Sequence, residues 1–93
     1  MTALAYSYWL PYPANLWCGP SQAVYVAVVS KGPGTIQEQA AIAGPNSRIE
    51  IISISFNAGG SNLTPYPSRY LNSYDVHAYN GARLVATGYG CYG

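Results

Sequence analysis

Proline and glycine punctuate this chain at near-regular intervals, and that punctuation limits its fold more than any other feature. Seven prolines and ten glycines fall in clusters, and the segments between them are short and rich in β-branched or aromatic side chains. Such a pattern belongs to an all-β chain. Residues 3–10 alternate, with Leu4, Tyr6, Tyr8 and Leu10 on one side and Ala5, Ser7 and Trp9 on the other. Pro11 and Pro13 should end that strand, because proline cannot donate to a ladder and survives only at edges or ends. Residues 22–30 are apolar on both faces, which predicts a central strand covered on both sides. Lys31-Gly32-Pro33-Gly34 and Gly44-Pro45-Asn46-Ser47 read as turns.

Between those turns, residues 35–43 carry two patterns. Thr35 and Glu38 can form a capping box, with Ile36, Ala40 and Ala43 at helical spacing and Gly44 as a stop. The same residues make a strand with Ile36, Glu38, Ala40 and Ile42 on one side. The strand is favoured, since strong strands and four-residue turns flank it. Residues 48–57 form the strongest strand, but Ile49 and Ile51 face one way while Ile52, Ile54 and Phe56 face the other. A period-2 strand cannot do that against one core. A bulge between Ile51 and Ile52, or cover on both faces at one end, would resolve it. Residues 58–70 read as a long loop rich in Gly, Ser, Asn and Pro, near the length at which loops carry function. Asn80-Gly81 is the favoured type I′ pair and predicts a hairpin joining 74–79 to 82–87, with Val76 opposite Val85 and His77 opposite Leu84.

About six strands with hairpin connections predict a small antiparallel sandwich or barrel, jelly-roll or immunoglobulin-like. The 93 residues suffice for a single β domain, with residues 1–12 as an N-terminal arm or exchanged strand. A domain this small needs an efficient core or an added restraint. Cys18 and Cys91 can supply one. Bridged within the chain they close a loop of about 74 residues, worth roughly 4 kcal/mol in the chain-entropy picture. The alternatives are two buried thiols or a bridge between subunits.

Charge sets the limits on function. Lys, Arg, Asp and Glu make up 8% of the chain, with a net charge of +1, where an average soluble chain carries about 25%. Lys31, Arg48, Arg69 and Arg83 are scattered, which argues against nucleic acid as a partner, because that affinity rests on several phosphate contacts. The longest apolar run, residues 23–29, is too short for a membrane-spanning helix, and the first residues carry no signal-peptide pattern. Catalysis finds little support. The carboxylates are Glu38, Glu50 and Asp75, with no spacing that suggests a glycosidase pair. Asp75 and His77 share a strand face, but no Gly-x-Ser-x-Gly elbow accompanies them. Two cysteines and one histidine fall short of a zinc site, and no glycine-rich loop is followed by the lysine and helix of a phosphate cradle. The expectation is a non-enzyme without metal or cofactor.

Tyrosine is the feature left over. Ten tyrosines, two tryptophans and one phenylalanine exceed what a core of this size encloses. A tyrosine contributes apolar area while keeping a hydroxyl for water or a partner. A surface rich in Tyr and poor in Lys and Glu has the composition of a protein interface. Tyr6, Tyr8, Trp9, Tyr12, Trp17, Tyr89 and Tyr92 are the candidate interface residues; the opposing reading has the aromatics filling the core. The lead expectation is a structural subunit packing against copies of itself or a larger protein lattice. Its settings would be a virion surface, as a capsid decoration or fibre protein, or an extracellular filament. A carbohydrate-binding module is the second class. Trp9, Trp17, Tyr66 and Tyr70 would be its platform, and Asn57, Asn62, Asn72 and Asn80 its polar rim. A secreted inhibitor or toxin working through 58–70 is a weaker third. Asn62-Leu63-Thr64 is also a glycosylation sequon. If residues 1–10 are a strand donated to a neighbour, their deletion should abolish assembly and leave a folded domain. Unaltered assembly would refute the donation.

Overall fold

Strands form wherever the β-branched and aromatic runs lie, and each buries one face. The computed structural model describes residues 10–44 and 46–93. The alternation over residues 3–9, with Tyr6, Tyr8 and Trp9, lies outside them. The strands are β1 (Leu10–Trp17), β2 (Ala23–Lys31), β3 (Thr35–Ala43), β4 (Glu50–Asn57), β5 (Gly60–Pro65), β6 (Tyr70–Tyr79) and β7 (Arg83–Tyr92). They form a β-sandwich, with a four-stranded sheet ordered β1-β6-β3-β4 and a three-stranded sheet ordered β5-β2-β7. All pairings are antiparallel.

The core lies between the sheets. Val24, Val26 and Val28 of β2 face Ile36, Ala40 and Ile42 of β3 and Leu71, Tyr74 and Val76 of β6. Alternation along these strands selects the face: in β2 each buried valine is followed by the half-buried Tyr25 or Ala27 or the exposed Val29. The strand expected at 35–43 is present with those bounds, and Ile36, Glu38, Ala40 and Ile42 form its buried face.

Connections depart from the sequence reading. Only β3 and β4 are consecutive strands paired with each other; every other step along the chain changes sheet. The Asn80-Gly81 hairpin is therefore corrected. The turn has the expected backbone, with φ of 59° at Asn80 and 92° at Gly81, and Ala82 N–H donates to Tyr79 O at 3.3 Å. It nevertheless arches from one sheet to the other. Both edges of β6 are taken, by β1 and β3, so β7 pairs with β2. Val76 and His77 face neither Val85 nor Leu84. Gly34 in the β2–β3 arch sits directly under this turn: its φ is +117°, and a Cβ there would fall 2.5 Å from Tyr79 O. The two arches nest only because Gly34 has no side chain.

Four other expectations change. Pro11 and Pro13 lie inside β1, which tolerates them as an edge strand; Leu10, Pro11 and Tyr12 thus pair with β6 of the same chain. β4 runs beside β3 without a bulge. Its polarity conflict is resolved by exposure, Ile49 being 44% and Ile51 60% exposed. The 58–70 loop contains β5, which adds to the free side of β2. The expectation that β2 is covered on both sides fails among the described residues as well, where Val29 is 38% and Leu63 49% exposed on the outer face of the three-stranded sheet.

Cys18, just past β1, is bonded to Cys91 in β7 across 73 positions. The bridge joins an edge of one sheet to an edge of the other. The chain-entropy relation gives about 4 kcal/mol for a loop of this length. Reduction, or a Cys18→Ala/Cys91→Ala pair, should lower the melting temperature by roughly 15–30 °C. A drop of only a few degrees in a thermal scan would show that the sandwich does not depend on the bridge.

Candidate functional site

The three carboxylates are separated by the fold. Glu50 opens β4 and is exposed, Asp75 is on the outer face of β6, and Glu38 is fully buried between the sheets. Tyr66, in the crossing from β5 to β6, donates its hydroxyl to Glu38 Oε2, while Glu38 Oε1 has no hydrogen-bond partner. Burial raises the Glu38 carboxyl above its usual value near 4.5, and the Tyr66 hydrogen bond offsets part of that rise. Tyr66 in turn is pushed up, by burial first and by Glu38 second. The acid shares the core with Tyr74, whose hydroxyl meets Thr87 Oγ1 at 3.1 Å. Tyr12 stacks on Tyr74 with centroids 5.0 Å apart, and Tyr89 meets it edge-on at 5.9 Å.

The expected site residues therefore separate into groups. Tyr66 is 3% exposed and is corrected: a sugar cannot reach it. Tyr12 flanks the core. Tyr89 faces inward at the open side of β7 and is 41% exposed, and Tyr92, 52% exposed, lies on the outer face of the three-stranded sheet. Asn62 is in a strand, not an exposed loop. It is half-buried opposite Val28, and its side-chain oxygen accepts a hydrogen bond from Thr64 at 2.9 Å. Asp75 and His77 do share the outer face of β6, where His77 leans on Tyr79 with ring centroids 5.0 Å apart.

Two surfaces stand out from the register. On the four-stranded sheet the outer face is mostly polar, carrying Gln37, Gln39, Ser53, Ser55, Ser73 and Asp75, with Ile51 exposed opposite Ala41. At one end Trp17 stacks on its cross-strand partner Tyr70, centroids 4.4 Å apart and planes 28° from parallel. Trp17 is still 58% exposed. Tyr70 donates its hydroxyl to Asn15 Oδ1 at 2.7 Å and accepts from Asn72 Nδ2 at 3.1 Å. Sequence reasoning flagged Trp17, Tyr70 and Asn72 but missed Asn15. The only signal for it was its residue type, since Asn tolerates the left-handed backbone it adopts, φ 51°.

On the three-stranded sheet the outer face is apolar. Tyr25, Ala27 and Val29 of β2 lie beside Leu63 and Pro65 of β5 and beside Ala86, Gly88 and Gly90 of β7. Tyr25 spreads across Gly90, so closely that a Cβ there would be 2.7 Å from its hydroxyl. Lys31 and Arg83 are paired at one end of the face. Among the described residues no group of three or more His, Cys, Asp or Glu could hold a metal ion. None of their helices is long and apolar enough to cross a membrane.

The Glu38 environment sets a pH dependence. A carboxyl whose pKa is raised by folding keeps its proton in the folded chain after the unfolded chain has lost it, so stability falls as pH rises above about 4.5. Melting temperature should therefore decline from pH 4.5 to 7 in wild type. Glu38→Gln should flatten that decline and melt higher than wild type at pH 7. A wild-type profile flat or rising over this range would show that burial does not hold the proton.

Compared with known proteins, the chain matches no family model, no curated protein and no solved structure.

Proposed function

We propose that this chain is a non-enzymatic structural subunit that packs against copies of itself through the outer face of its three-stranded sheet. One observation carries the reading. A solvent-facing sheet face ordinarily alternates polar against the buried apolar set, as the four-stranded sheet does here over most of its outer face, Ala41 and Ile51 apart. The face built on Tyr25, Ala27, Val29, Leu63, Pro65 and Gly88 is apolar apart from Ser61 opposite Val29, with Val29 38% and Leu63 49% exposed. Exposed apolar patches of this kind mark interaction sites. A second copy suits it better than a charged partner, since the face has no charge at its centre to be complemented and the whole chain is at +1. Chains near neutrality associate readily.

The edges favour an extended assembly over a closed pair. Proline guards β1, at Pro11 and Pro13, and ends the short β5 at Pro65. The other two edge strands, β4 and β7, contain neither proline nor lysine, so their free edges are open to strand addition. Because the disulfide sets β1 beside β7, one open edge lies on each side of the sandwich. Head-to-tail contacts of that kind run on as filaments unless a rotation closes them. A virion surface part or an extracellular filament is the setting in this proposal, and the disulfide fits an oxidising compartment.

Light scattering under non-reducing conditions over about a hundredfold concentration range tests it. Wild type should exceed the 9.9 kDa of one chain. Val29→Lys/Leu63→Lys, which buries two charges in any such contact, should weaken association at least about tenfold and leave the melting temperature of the separated chain unchanged. A 9.9 kDa species at every wild-type concentration would overturn the proposal.

A further inference from the structure

We propose a second site, on the opposite side of the sandwich: Trp17, Tyr70, Asn15 and Asn72 form a shallow platform for the ring of a neutral sugar within a polysaccharide.

The backbone around it is irregular on both strands at the same level. β1 shifts register between Pro13 and Leu16, and β6 shifts against β3 so that Asn72 is the extra residue between Leu71 and Ser73. Bulges re-aim side chains and gather beside working sites. Here the two irregularities converge. Asn15, held at φ 51°, and Asn72 both reach the Tyr70 hydroxyl. Left-handed backbone at a non-glycine residue is costly, and it persists where surroundings over-determine it. The Asn15–Tyr70–Asn72 network fixes the Tyr70 ring, and the Tyr70 ring stacks against Trp17 from the neighbouring strand.

What this fixed stack presents outward is an indole 58% exposed, bordered by carboxamides. The C–H face of a pyranose lies flat on such a ring, and its hydroxyls, donors and acceptors at once, match amide groups that are both. The Asn15 side-chain nitrogen takes no part in the Tyr70 network, which uses only its oxygen, and is available to donate. Ser73, whose hydroxyl bonds Asn72 Oδ1 at 3.2 Å, continues the polar border. The ligand is neutral by the same geometry. Arg69 is the cation next to the platform in sequence, and its Nε and Nη2 are both spent on Cys18 O, at 3.2 and 3.0 Å. A single-stranded nucleic acid would stack on the same rings but needs a basic groove for its phosphates, and the polar face alongside carries Asp75 instead. The site does not depend on self-association, since it lies on the sheet facing away from the proposed contact.

Affinity electrophoresis through gels containing β-glucan, xylan or galactomannan tests this, using the Val29→Lys/Leu63→Lys chain beside wild type so that assembly and sugar binding are read separately. At least one polysaccharide should retard both proteins. Trp17→Ala should abolish the retardation, and Asn15→Ala and Asn72→Ala should each weaken it about tenfold, with melting temperatures close to that of wild type. Tyr92→Ala, on the outer face of the other sheet, should leave it intact. Retardation by none of the three gels would overturn the proposal. So would retardation that survives Trp17→Ala, and so would a polyproline peptide binding at Trp17 where the glycans do not.

Discussion

Everything in this sandwich depends on two sheets closing over a set of inward valines, isoleucines and tyrosines, with a chain that changes sheet at almost every turn. Only β3 and β4 follow one another within a sheet. In a fold of hairpins each sheet could form and then dock; here, β3–β4 apart, every pairing joins strands separated along the chain by at least one strand of the other sheet. Local contacts are correspondingly few, a topology that folds slowly because loop closure precedes the reward of pairing. The arch at Gly34 and the turn at Asn80-Gly81 nest against each other, and the Cys18–Cys91 bridge ties edge to edge. Both features hold the sheets at positions where the hydrophobic face alone is narrow.

A carboxylic acid at the centre of such a core works against it. Glu38 takes the position in β3 where alternation demands an apolar side chain, and the fold answers with the Tyr66 hydroxyl. That answer is partial, since Oε1 is left without a partner, and a buried polar atom without one is costly. Tyrosine is well suited to this core because it delivers area and a hydroxyl together: Tyr66 serves Glu38, and Tyr74 reaches Thr87. The excess of Tyr over Phe is thus partly a property of the interior. Among the described aromatics, Trp17, Tyr70 and Tyr79 lie on the outer face of the four-stranded sheet and Tyr25 and Tyr92 on that of the three-stranded one.

Much of this was legible along the chain. The strand at Thr35–Ala43 followed from its flanking turns, and its buried face from simple alternation. The positive φ values at Asn80 and Gly81 followed from residue type. Pairing was not legible. The Asn-Gly turn reverses the chain by the same local backbone whether its two strands join or part, so the hairpin expected there failed once β6 had β1 and β3 on its edges. β5 was hidden because Gly, Ser, Asn and Pro are poor strand formers, and it is a strand only because the edge of β2 offers its hydrogen bonds. The bulge expected in β4 was an inference from the premise that Ile49 and Ile51 must be covered, whereas both are exposed.

By itself, then, the sequence determined the all-β class, most strand positions, the side most residues of those strands take, and a sparse, scattered charge. These are consequences of one-residue and two-residue rules: where proline cannot donate, where glycine and asparagine turn, which side chains alternate. Tertiary structure decided which strands are neighbours, and through that which residues meet. Trp17 stands on Tyr70, 53 positions away, Glu38 takes its hydrogen bond from Tyr66, and an apolar face is assembled from three separate segments. Each of these needs strands distant in sequence to be brought side by side. Alternation sets only the face on which a residue lies, and carries no information about what will lie beside it.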